Sequence, residues 1–291
     1  MILIAGGTGH LGRELSRVLA GRAGGLRVLT REPAKAANAR HGGTEFVKGD
    51  VRDRSSLAPA LAGVDVVISA ITGFGPGGQG PRAIDLEGNR NLIGASEAAG
   101  VRRFVLLSIH GARPDHPMEL YRAKYRAEEL LRGSRLEWAI IRPTVFMELW
   151  AGIIGGAART TGTATIFGRG TNPTNFVSVR DVARFVELAA CDTGLRGAAL
   201  DVGGPENLTF IEVVDRIRAA IGRPVRARHV PLAAMRLGAI VMRGVKPDIA
   251  RLIQAGIVMD TTDMRFDATA LQRRYPSIRL SRLADVLADP A

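Results

Sequence analysis

Apolar and polar positions follow two different periods along the first half of the chain. Short runs rich in Val, Ile and Leu, with little polar interruption, predict strands covered on both faces. These runs are Ile2–Ala5, Arg27–Thr30, Glu45–Lys48, Asp65–Ala70, Arg103–Ser108 and Trp138–Arg142. Between them, helical patterns lie at Gly12–Ala20, Ser55–Leu61, Ile84–Ala99 and Glu119–Arg132. The alternation predicts an α/β fold with a doubly wound parallel sheet and crossover helices.

The second half of the chain is less regular. It predicts a strand and a loop at Thr163–Gly170 and Thr171–Val179, then a helix at Arg180–Ala190. Ala198–Val202 predicts a strand that returns to the main sheet, Phe210–Ile221 has helical spacing, and Arg223–Val230 alternates like an exposed strand. We therefore expect a first domain over residues 1–150 and a smaller substrate lobe over residues 151–291. The lobe is expected over the carboxyl edge of the sheet, where ligands bind in such folds.

Composition narrows the class of protein. The 291 residues are 46% hydrophobic and 23% charged, as in a globular chain with a substantial core. The formal net charge is +12, but the basic residues are nearly all arginine and lie along the whole chain. Without a block of like charge or interleaved aromatic residues, no specific nucleic-acid partner is expected.

Cysteine usage and the chain start indicate the compartment. Cys191 is the only cysteine, so no intrachain disulfide can form, and a reducing cytoplasm is expected. Met1 leads directly into a strand pattern instead of a signal peptide. The apolar stretch Leu237 to Met242 is far too short to span a bilayer. We expect a cytoplasmic protein with a small-molecule partner and no membrane span, and a homodimer is compatible with these features.

A glycine-rich loop closes the first predicted strand and opens the first helix, with the sequence Gly6-Gly7-Thr8-Gly9-His10-Leu11-Gly12. Gly6 permits the tight turn, Gly9 lets the backbone approach a pyrophosphate, and Gly12 allows close helix–strand packing. The helix N-terminus adds unpaired N–H groups and a partial positive charge. The alternative is a merely structural turn. The context predicts a Rossmann-type dinucleotide site at this loop.

Charge after the second strand predicts which dinucleotide binds. NAD-selective proteins usually place Asp or Glu there, whereas this chain has Thr30-Arg31. Arg31 could pair with a 2′-phosphate, which favours NADP(H), or it could be a solvated surface arginine. After the third strand, Asp50 could accept from the adenine amino group while Val51 packs on the ring. Equally, Asp50 could start a turn or cap a helix near Asp53–Ser56.

These residues together resemble the atypical short-chain dehydrogenase/reductases, in particular the NmrA-like NAD(P)-binding branch. The resemblance covers about two thirds of the chain with order and spacing preserved. It is carried by Gly6–Gly12, Thr30-Arg31-Glu32-Pro33, Gly49-Asp50-Val51-Arg52-Asp53, Gly63-Val64-Asp65-Val66-Val67, Gly100-Val101-Arg102-Arg103-Phe104-Val105, Lys124 with Glu128, Ile141-Arg142-Pro143, Val179-Arg180-Asp181-Val182-Ala183 and Val202-Gly203-Gly204-Pro205.

The resemblance implies a Rossmann fold with a C-terminal substrate lobe. It places Gly6, Thr8, Gly9, Leu11 and Gly12 on the phosphates, with His10 in the same cofactor-binding loop, and Arg31 near the adenosine ribose. The central part of the cofactor would be lined by Ala70, Ile71 and Thr72. The nicotinamide would be faced by Ser108, Lys124, Pro143, Thr144 and Phe146.

One departure from the family concerns the proton donor. Active members carry a tyrosine four residues before the active lysine, and here that position is Leu120, whereas Tyr121 is three residues before Lys124. Tyr121 is therefore rotated by about 100° around the helix, and it is either the donor or a packed tyrosine. Ser108 and His110, at the carboxyl end of the fifth strand, are further catalytic candidates. His110 could replace the missing donor or be an ordinary loop histidine.

Lys124 has two interpretations. In the family's role its ammonium would bind the nicotinamide ribose and lower the pKa of the donor. The alternative is an exposed helix lysine paired with Glu128 at i,i+4. Lysine is scarce in this chain, which favours the specific role.

Metal sites and serine nucleophiles are not expected. The five histidines (His10, His41, His110, His116, His229) lack metal-site spacing, and no Gly-x-Ser-x-Gly motif is present. Three functions remain, in decreasing order of support. The first hypothesis is an NADPH-dependent oxidoreductase that passes hydride to a quinone, enone, imine or ketone. The acceptor would lie between the loop Gly73–Pro81 and a lobe containing Phe146–Trp150 and Phe167–Phe176. The second is a cofactor-binding sensor or assembly protein without turnover, and the third a sugar-nucleotide epimerase.

Overall fold

The computed structural model describes residues 1–21, 24–36 and 43–289, and it divides into two compact units. The first unit contains Met1–Phe74, Gly78–Pro143 and Val182–Asp201. The second contains Gly75–Gly77, Thr144–Asp181 and the chain from Val202 onward. The chain thus leaves the first unit after Pro143, a few residues before the break predicted at 150, and residues 182–201 return to it.

The strands and helices have the following bounds. Strands are β1 (Ile2–Ala5), β2 (Leu26–Thr30), β3 (Glu45–Lys48), β4 (Val66–Ser69), β5 (Arg103–Leu107), β6 (Glu137–Pro143), β7 (Val145–Phe146), β8 (Thr163–Phe167), β9 (Thr174–Val177), β10 (Ala198–Val202), β11 (Glu206–Leu208) and β12 (Arg226–Val230). Helices are α1 (His10–Leu19), α2 (Pro33–Ala36), α3 (Ala58–Leu61), α4 (Asn89–Ala98), α5 (Glu119–Arg132), α6 (Met147–Gly155), α7 (Ala158–Thr161), α8 (Val179–Cys191), α9 (Phe210–Ile221), α10 (Leu232–Val245), α11 (Pro247–Thr261), α12 (Thr269–Arg274) and α13 (Leu283–Ala288).

A seven-stranded sheet in the order β3-β2-β1-β4-β5-β6-β10 organises the first unit. Each neighbouring pair from β3 to β6 is parallel. The prediction of a doubly wound parallel sheet is therefore confirmed. The chain runs outward from β1 to β3 and then resumes at β4 on the other side of β1, so the strand order reverses between β1 and β4. Ligands of open α/β sheets bind beyond the carboxyl ends of the strands at such a point.

Burial explains why the apolar runs form these strands. All four residues of β1 and all five of β5 are buried, as expected for strands covered by helices on both faces. Leu3, Val67 and Phe104 are fully enclosed and belong to one core cluster that also takes in Leu92 of α4 and Leu131 of α5. Burial of such side chains contributes roughly 1.5–3 kcal/mol each. The core therefore holds the carboxyl ends of β1, β4 and β5 in fixed register.

Three predicted elements differ from the structure. The helix predicted at Ile84–Ala99 is a π-helical turn at Arg82–Gly88 followed by α4. The helix predicted at Ser55–Leu61 is a 3₁₀ turn at Arg54–Leu57, capped by Asp53, followed by α3. The loop predicted at Thr171–Val179 is wrong, because it contains the buried strand β9, which pairs with β7 and β11.

The second unit has two small sheets, β11-β9-β7 and β12-β8, and most of the later helices. Its core includes a stack of Trp150 on Phe210, with ring centroids 5.8 Å apart, and Phe167 stands edge-on to both rings. Trp150 is therefore a core residue of this unit. No described helix combines the length and apolar character that crossing a membrane requires.

Candidate functional site

The loop between β1 and α1 shows why it needs its glycines. Gly6 has φ of +88°, and a Cβ there would lie 2.6 Å from the Ala70 carbonyl oxygen, so the loops after β1 and β4 are in contact. A Cβ on Gly12 would overlap the Gly6 carbonyl oxygen. Both positions exclude any side chain for reasons internal to the fold.

Gly9 is different. It is the N-cap of α1 with φ of −76° and ψ of 175°, a conformation open to any residue. A Cβ there would meet only the Gly6 carbonyl oxygen, at 3.5 Å. Packing within the described residues does not require glycine at this exposed position, whereas a pyrophosphate approaching the helix N-terminus would. The loop therefore fits a dinucleotide, with Thr8, His10 and Leu11 around the same helix start.

The carboxyl ends of β2 and β3 place positive charge where the adenosine ribose is expected. Arg31 is exposed directly after β2. The Asp50 carboxylate accepts hydrogen bonds from the Arg52 side chain and from the Arg52 backbone N–H. The hydrogen-bonded Arg52 guanidinium lowers the pKa of the Asp50 carboxyl, with a smaller electrostatic effect from Arg31. Asp50 thus forms the turn that was its alternative, and its contact with adenine stays a prediction.

Val51 is buried beside the start of α4. Its side chain would lie 2.9 Å from a Cβ on Gly88, and its carbonyl oxygen accepts from Asn91 Nδ2. It contributes to the core cluster of the first unit. Val51 is 9% exposed, and the predicted packing on the adenine ring would involve this exposed part.

Lys124 is buried under the segment that follows β4. Its Nζ donates to the carbonyl oxygens of Ile71, at 3.0 Å, and Leu107, at 2.7 Å. It also lies 3.1 Å from Asp85 Oδ1, a charge contact without hydrogen-bond alignment. Asp85 Oδ2 accepts from the Gly73 N–H. Lys124 and Asp85 therefore fix both ends of Ile71–Gly73.

This geometry corrects the expectations for Lys124. The exposed lysine paired with Glu128 is wrong, because Lys124 is only 5% exposed and pairs with Asp85. An ammonium has three N–H donors, and here they face two backbone carbonyls and a carboxylate. The geometry therefore disfavours a direct contact with the nicotinamide ribose and indicates a positioning residue for the segment that lines the cofactor's central part.

Ser108 and Glu128 form a second buried polar group. The Ser108 hydroxyl donates to Glu128 Oε1 at 2.5 Å, and Arg142 donates to both Glu128 oxygens. Arg132 Nη2 also donates to Glu128, which is fully buried. The hydroxyl of Ser108 is thus directed at Glu128, so its predicted catalytic role has no support in this geometry.

His110 and Asp201 form a solvent-accessible pair at the carboxyl ends of β5 and β10. The His110 backbone N–H donates to the Pro143 carbonyl oxygen at the end of β6, at 2.8 Å. His110 Nδ1 lies 3.0 Å from Asp201 Oδ1 in β10, and both side chains are 40% exposed. A carboxylate on one ring nitrogen orients the imidazole and fixes its tautomer.

Tyr121 is a packed tyrosine. Its ring stacks on His116 with centroids 3.8 Å apart, and the residue is 6% exposed. Burial raises the pKa of Tyr121 to about 12. The geometry supports the packing interpretation and disfavours a proton donor at this position.

The remaining predicted residues lie in both units. Ala70 donates its N–H to the Ala5 carbonyl oxygen, and Thr72 Oγ1 accepts from the Phe74 N–H. Thr144 and Phe146 belong to the second unit, where Thr144 Oγ1 donates to Asn175 Oδ1 and Phe146 pairs with Val177. Their contacts with the cofactor stay predictions. In the parts of the chain that the structure describes, no cluster of His, Cys, Asp or Glu could hold a metal, and His41 lies outside them.

Comparisons with known proteins decide the family. Residues 6–191 match the family model described as NAD(P)H-binding. The chain is 32% identical over 226 residues to the NAD(P)H azoreductase of Xenophilus azovorans, covering 78% of this chain and 76% of the relative. The chain belongs to this NAD(P)H-binding family.

Other similar proteins are named for different substrates or functions. The (4-alkanoyl-5-oxo-2,5-dihydrofuran-3-yl)methyl phosphate reductase of Streptomyces griseus is 35% identical over 240 residues, covering 81% of this chain and 79% of its own. The photosystem II assembly factor Ycf39 of Synechocystis is 30% identical over 237 residues, covering 81% and 72%. The NADPH complex of quinone oxidoreductase QOR2 from Escherichia coli has the same fold, with a TM-score of 0.79, 22% identity and 99% of each chain covered.

Family membership confirms the resemblance to NmrA-like atypical short-chain dehydrogenase/reductases and the cofactor class. The chain is an NAD(P)-dependent oxidoreductase that binds NAD(P)H. Two residues of this candidate site, Asp85 and Asp201, were missed in the sequence. Asp85 gave no signal, because a lone aspartate in a helical pattern is ordinarily a solvated residue. Asp201 lies in a strand that was predicted to return to the sheet, which was the only available indication.

Proposed function

We propose that this chain is an NADPH-dependent reductase of a small apolar or aromatic acceptor, with His110 as the proton donor. The acceptor classes are quinones, enones, imines and ketones, and the azo bond is added because an azoreductase is among the relatives. The observation that carries the proposal is the His110–Asp201 pair at the carboxyl end of β5 and β6. It supplies a titratable group at the carboxyl edge of the sheet, where ligands of open α/β sheets bind.

Different residues of the first unit would bind the cofactor, position the backbone and donate the proton in such a reaction. Bound NADPH supplies the hydride. Gly9 and the N-terminus of α1 hold the pyrophosphate, and Arg31 pairs with the 2′-phosphate. Lys124 and Asp85 hold Ile71–Gly73 in place. His110 donates a proton to the reduced acceptor atom, and Asp201 stabilises the imidazolium before transfer.

The test follows NADPH oxidation at its absorbance band with a panel of the five acceptor classes. Wild type is compared with His110→Asn, and with His229→Asn as a matched control at an exposed histidine of β12. We expect turnover by the wild type and the control, and a loss of about 10²- to 10⁴-fold in His110→Asn with unchanged NADPH affinity. Equal turnover in His110→Asn would remove His110 as the donor.

A second candidate function is an NADP(H)-binding assembly or sensor protein. It is favoured by the 30% identity to Ycf39 and by the packed Tyr121 and tethered Lys124. Tight NADPH binding with no oxidation by any acceptor would support it. A homodimer and a cytoplasmic location stay predictions, and sedimentation would test the former.

A further inference from the structure

The positive charge of the chain is concentrated in one segment. Residues 216–247 contain no aspartate or glutamate, although the net charge of the whole chain is only +12. Their eight basic residues are all exposed: Arg216, Arg218, Arg223, Arg226, Arg228, Arg236, Arg243 and Lys246. The even spread of arginine noted in the sequence therefore does not hold here.

Most of these charges lack an acidic neighbour. Arg218 pairs with Asp215, and Arg216 lies 3.8 Å from Glu206. Within residues 1–21, 24–36 and 43–289, the other six form no ion pair. A surface with many unpaired charges of one sign favours solubility and attracts partners of opposite charge.

The same segment exposes an apolar helix face. On α10, Leu237, Ile240, Val241 and Val245 are 53–71% exposed and recur at helical spacing. Met235, on the opposite side, is 2% exposed and packs toward Gly256 of α11. Among the described residues, the remaining large exposed apolar side chain is Ile211, at 38%. The apolar exposure is thus confined almost entirely to α10.

The basic residues of α10 border this face. Arg236 and Arg243 are seven residues apart, so they project along one flank of the helix, between its exposed and its buried sides. Lys246 follows directly at the helix C-terminus. An apolar face bordered by Arg and Lys is the pattern of helices that lie in the interface of a bilayer.

We propose that α10, with β12 beside it in sequence, docks the protein on an anionic lipid surface. The four aliphatic side chains would enter the headgroup boundary while the arginines contact lipid phosphates. A second copy of the chain is a poorer occupant, because a two-fold interface would bring Arg236 and Arg243 of both copies together. A nucleic acid would neutralise the arginines but would leave the aliphatic side chains in water.

The test is co-sedimentation of the full chain with lipid vesicles. One set contains phosphatidylcholine with phosphatidylglycerol, and the other contains phosphatidylcholine alone. The variants are Ile240→Ser/Val245→Ser and Arg236→Gln/Arg243→Gln, with Arg135→Gln/Arg184→Gln as a control that removes the same charge from exposed positions elsewhere. All six positions are solvent-exposed, so the variants are expected to fold, and circular dichroism checks this.

We expect the wild type and the control to bind the anionic vesicles only, and to be released by salt. Each α10 variant should bind at least about tenfold more weakly. Absence of wild-type binding, or undiminished binding of either α10 variant, would overturn the proposal. So would a dimer in solution that Ile240→Ser/Val245→Ser dissociates, or salt-sensitive DNA binding without vesicle binding.

Discussion

The ammonium of Lys124 lies 3.1 Å from the carboxylate of Asp85, and both side chains are buried. Lys124 also donates to the Ile71 carbonyl oxygen, and Asp85 accepts from the Gly73 N–H. The pair thus spans the two ends of a three-residue segment at the switch point of the sheet. A lysine that the sequence suggests as a cofactor ligand thus holds in place the backbone that is predicted to line the cofactor.

Removing one member of this pair should cost more than removing both charges. Lys124→Met leaves Asp85 buried without its cation, so we expect the free energy of unfolding to fall by about 3–5 kcal/mol. Lys124→Met/Asp85→Asn should recover much of that loss, since the amide oxygen of the introduced side chain can still accept from the Gly73 N–H. Urea denaturation of both variants measures the difference. Equal losses would show that the two residues act independently.

Gly9 and Gly12 should separate cofactor binding from folding. Gly9→Ala should keep the stability of the protein, because its Cβ meets only the Gly6 carbonyl oxygen, at 3.5 Å. It should weaken NADPH binding, because the added methyl group lies where the pyrophosphate is expected to approach the helix N-terminus. Gly12→Ala should lower the free energy of unfolding by about 1–3 kcal/mol, because its Cβ would overlap that same oxygen. Thermal melting and fluorescence titration with NADPH report the two effects. Unchanged NADPH affinity in Gly9→Ala would place the pyrophosphate elsewhere.

Arg31 should determine the choice between NADPH and NADH. Arg31→Glu is expected to weaken NADPH binding by roughly 10- to 100-fold, since a charge-assisted pair with the 2′-phosphate is lost and a like charge is introduced. NADH, which lacks that phosphate, should bind about as before. Titration with both cofactors measures the ratio, and Arg184→Glu, at an exposed position of α8, is a charge-matched control. Equal loss for both cofactors would contradict the assignment.

His110 and Asp201 should behave as one unit in turnover. Asp201→Asn is expected to lower kcat by roughly 10- to 100-fold, less than His110→Asn, because it removes only the group that orients the ring. The double variant should be no slower than His110→Asn alone, as for residues acting together. Steady-state kinetics with one accepted substrate tests this. Additive losses would indicate separate roles.

Tyr121→Phe should leave turnover unchanged and retain the stack on His116. Burial raises the pKa of Tyr121 to about 12 from an ordinary value of 10.0. Between these values the unfolded chain ionises while the folded protein keeps the proton, so the stability from this residue falls as pH rises above about 10. Spectrophotometric titration of the wild type and the variant should show one late-ionising tyrosine only in the wild type. A large loss of kcat in Tyr121→Phe would restore Tyr121 as the proton donor.

Periodicity located most of the first unit correctly, and α5 and β10 agree with their predicted bounds to the residue. It was weaker beyond residue 143, where β9 has no clear alternation and depends on pairing with β7 and β11. The site shows the same division. The turn after β1 is local, and its glycines are visible in the sequence, whereas Lys124 and Asp85 are distant in the chain.

The sequence by itself determined the doubly wound sheet, the dinucleotide loop at Gly6–Gly12 and the positive end of β2, because each depends on neighbouring residues and on burial of apolar runs. Only the tertiary structure decided the partners of the polar side chains. It directed Lys124 to Asp85, Ser108 to Glu128 and His110 to Asp201, and it packed Tyr121 on His116. The physical reason is that a buried polar group needs a hydrogen-bond partner, and the fold supplies that partner from a residue distant in the chain. The spacing of residues in the sequence does not indicate which residue that partner is.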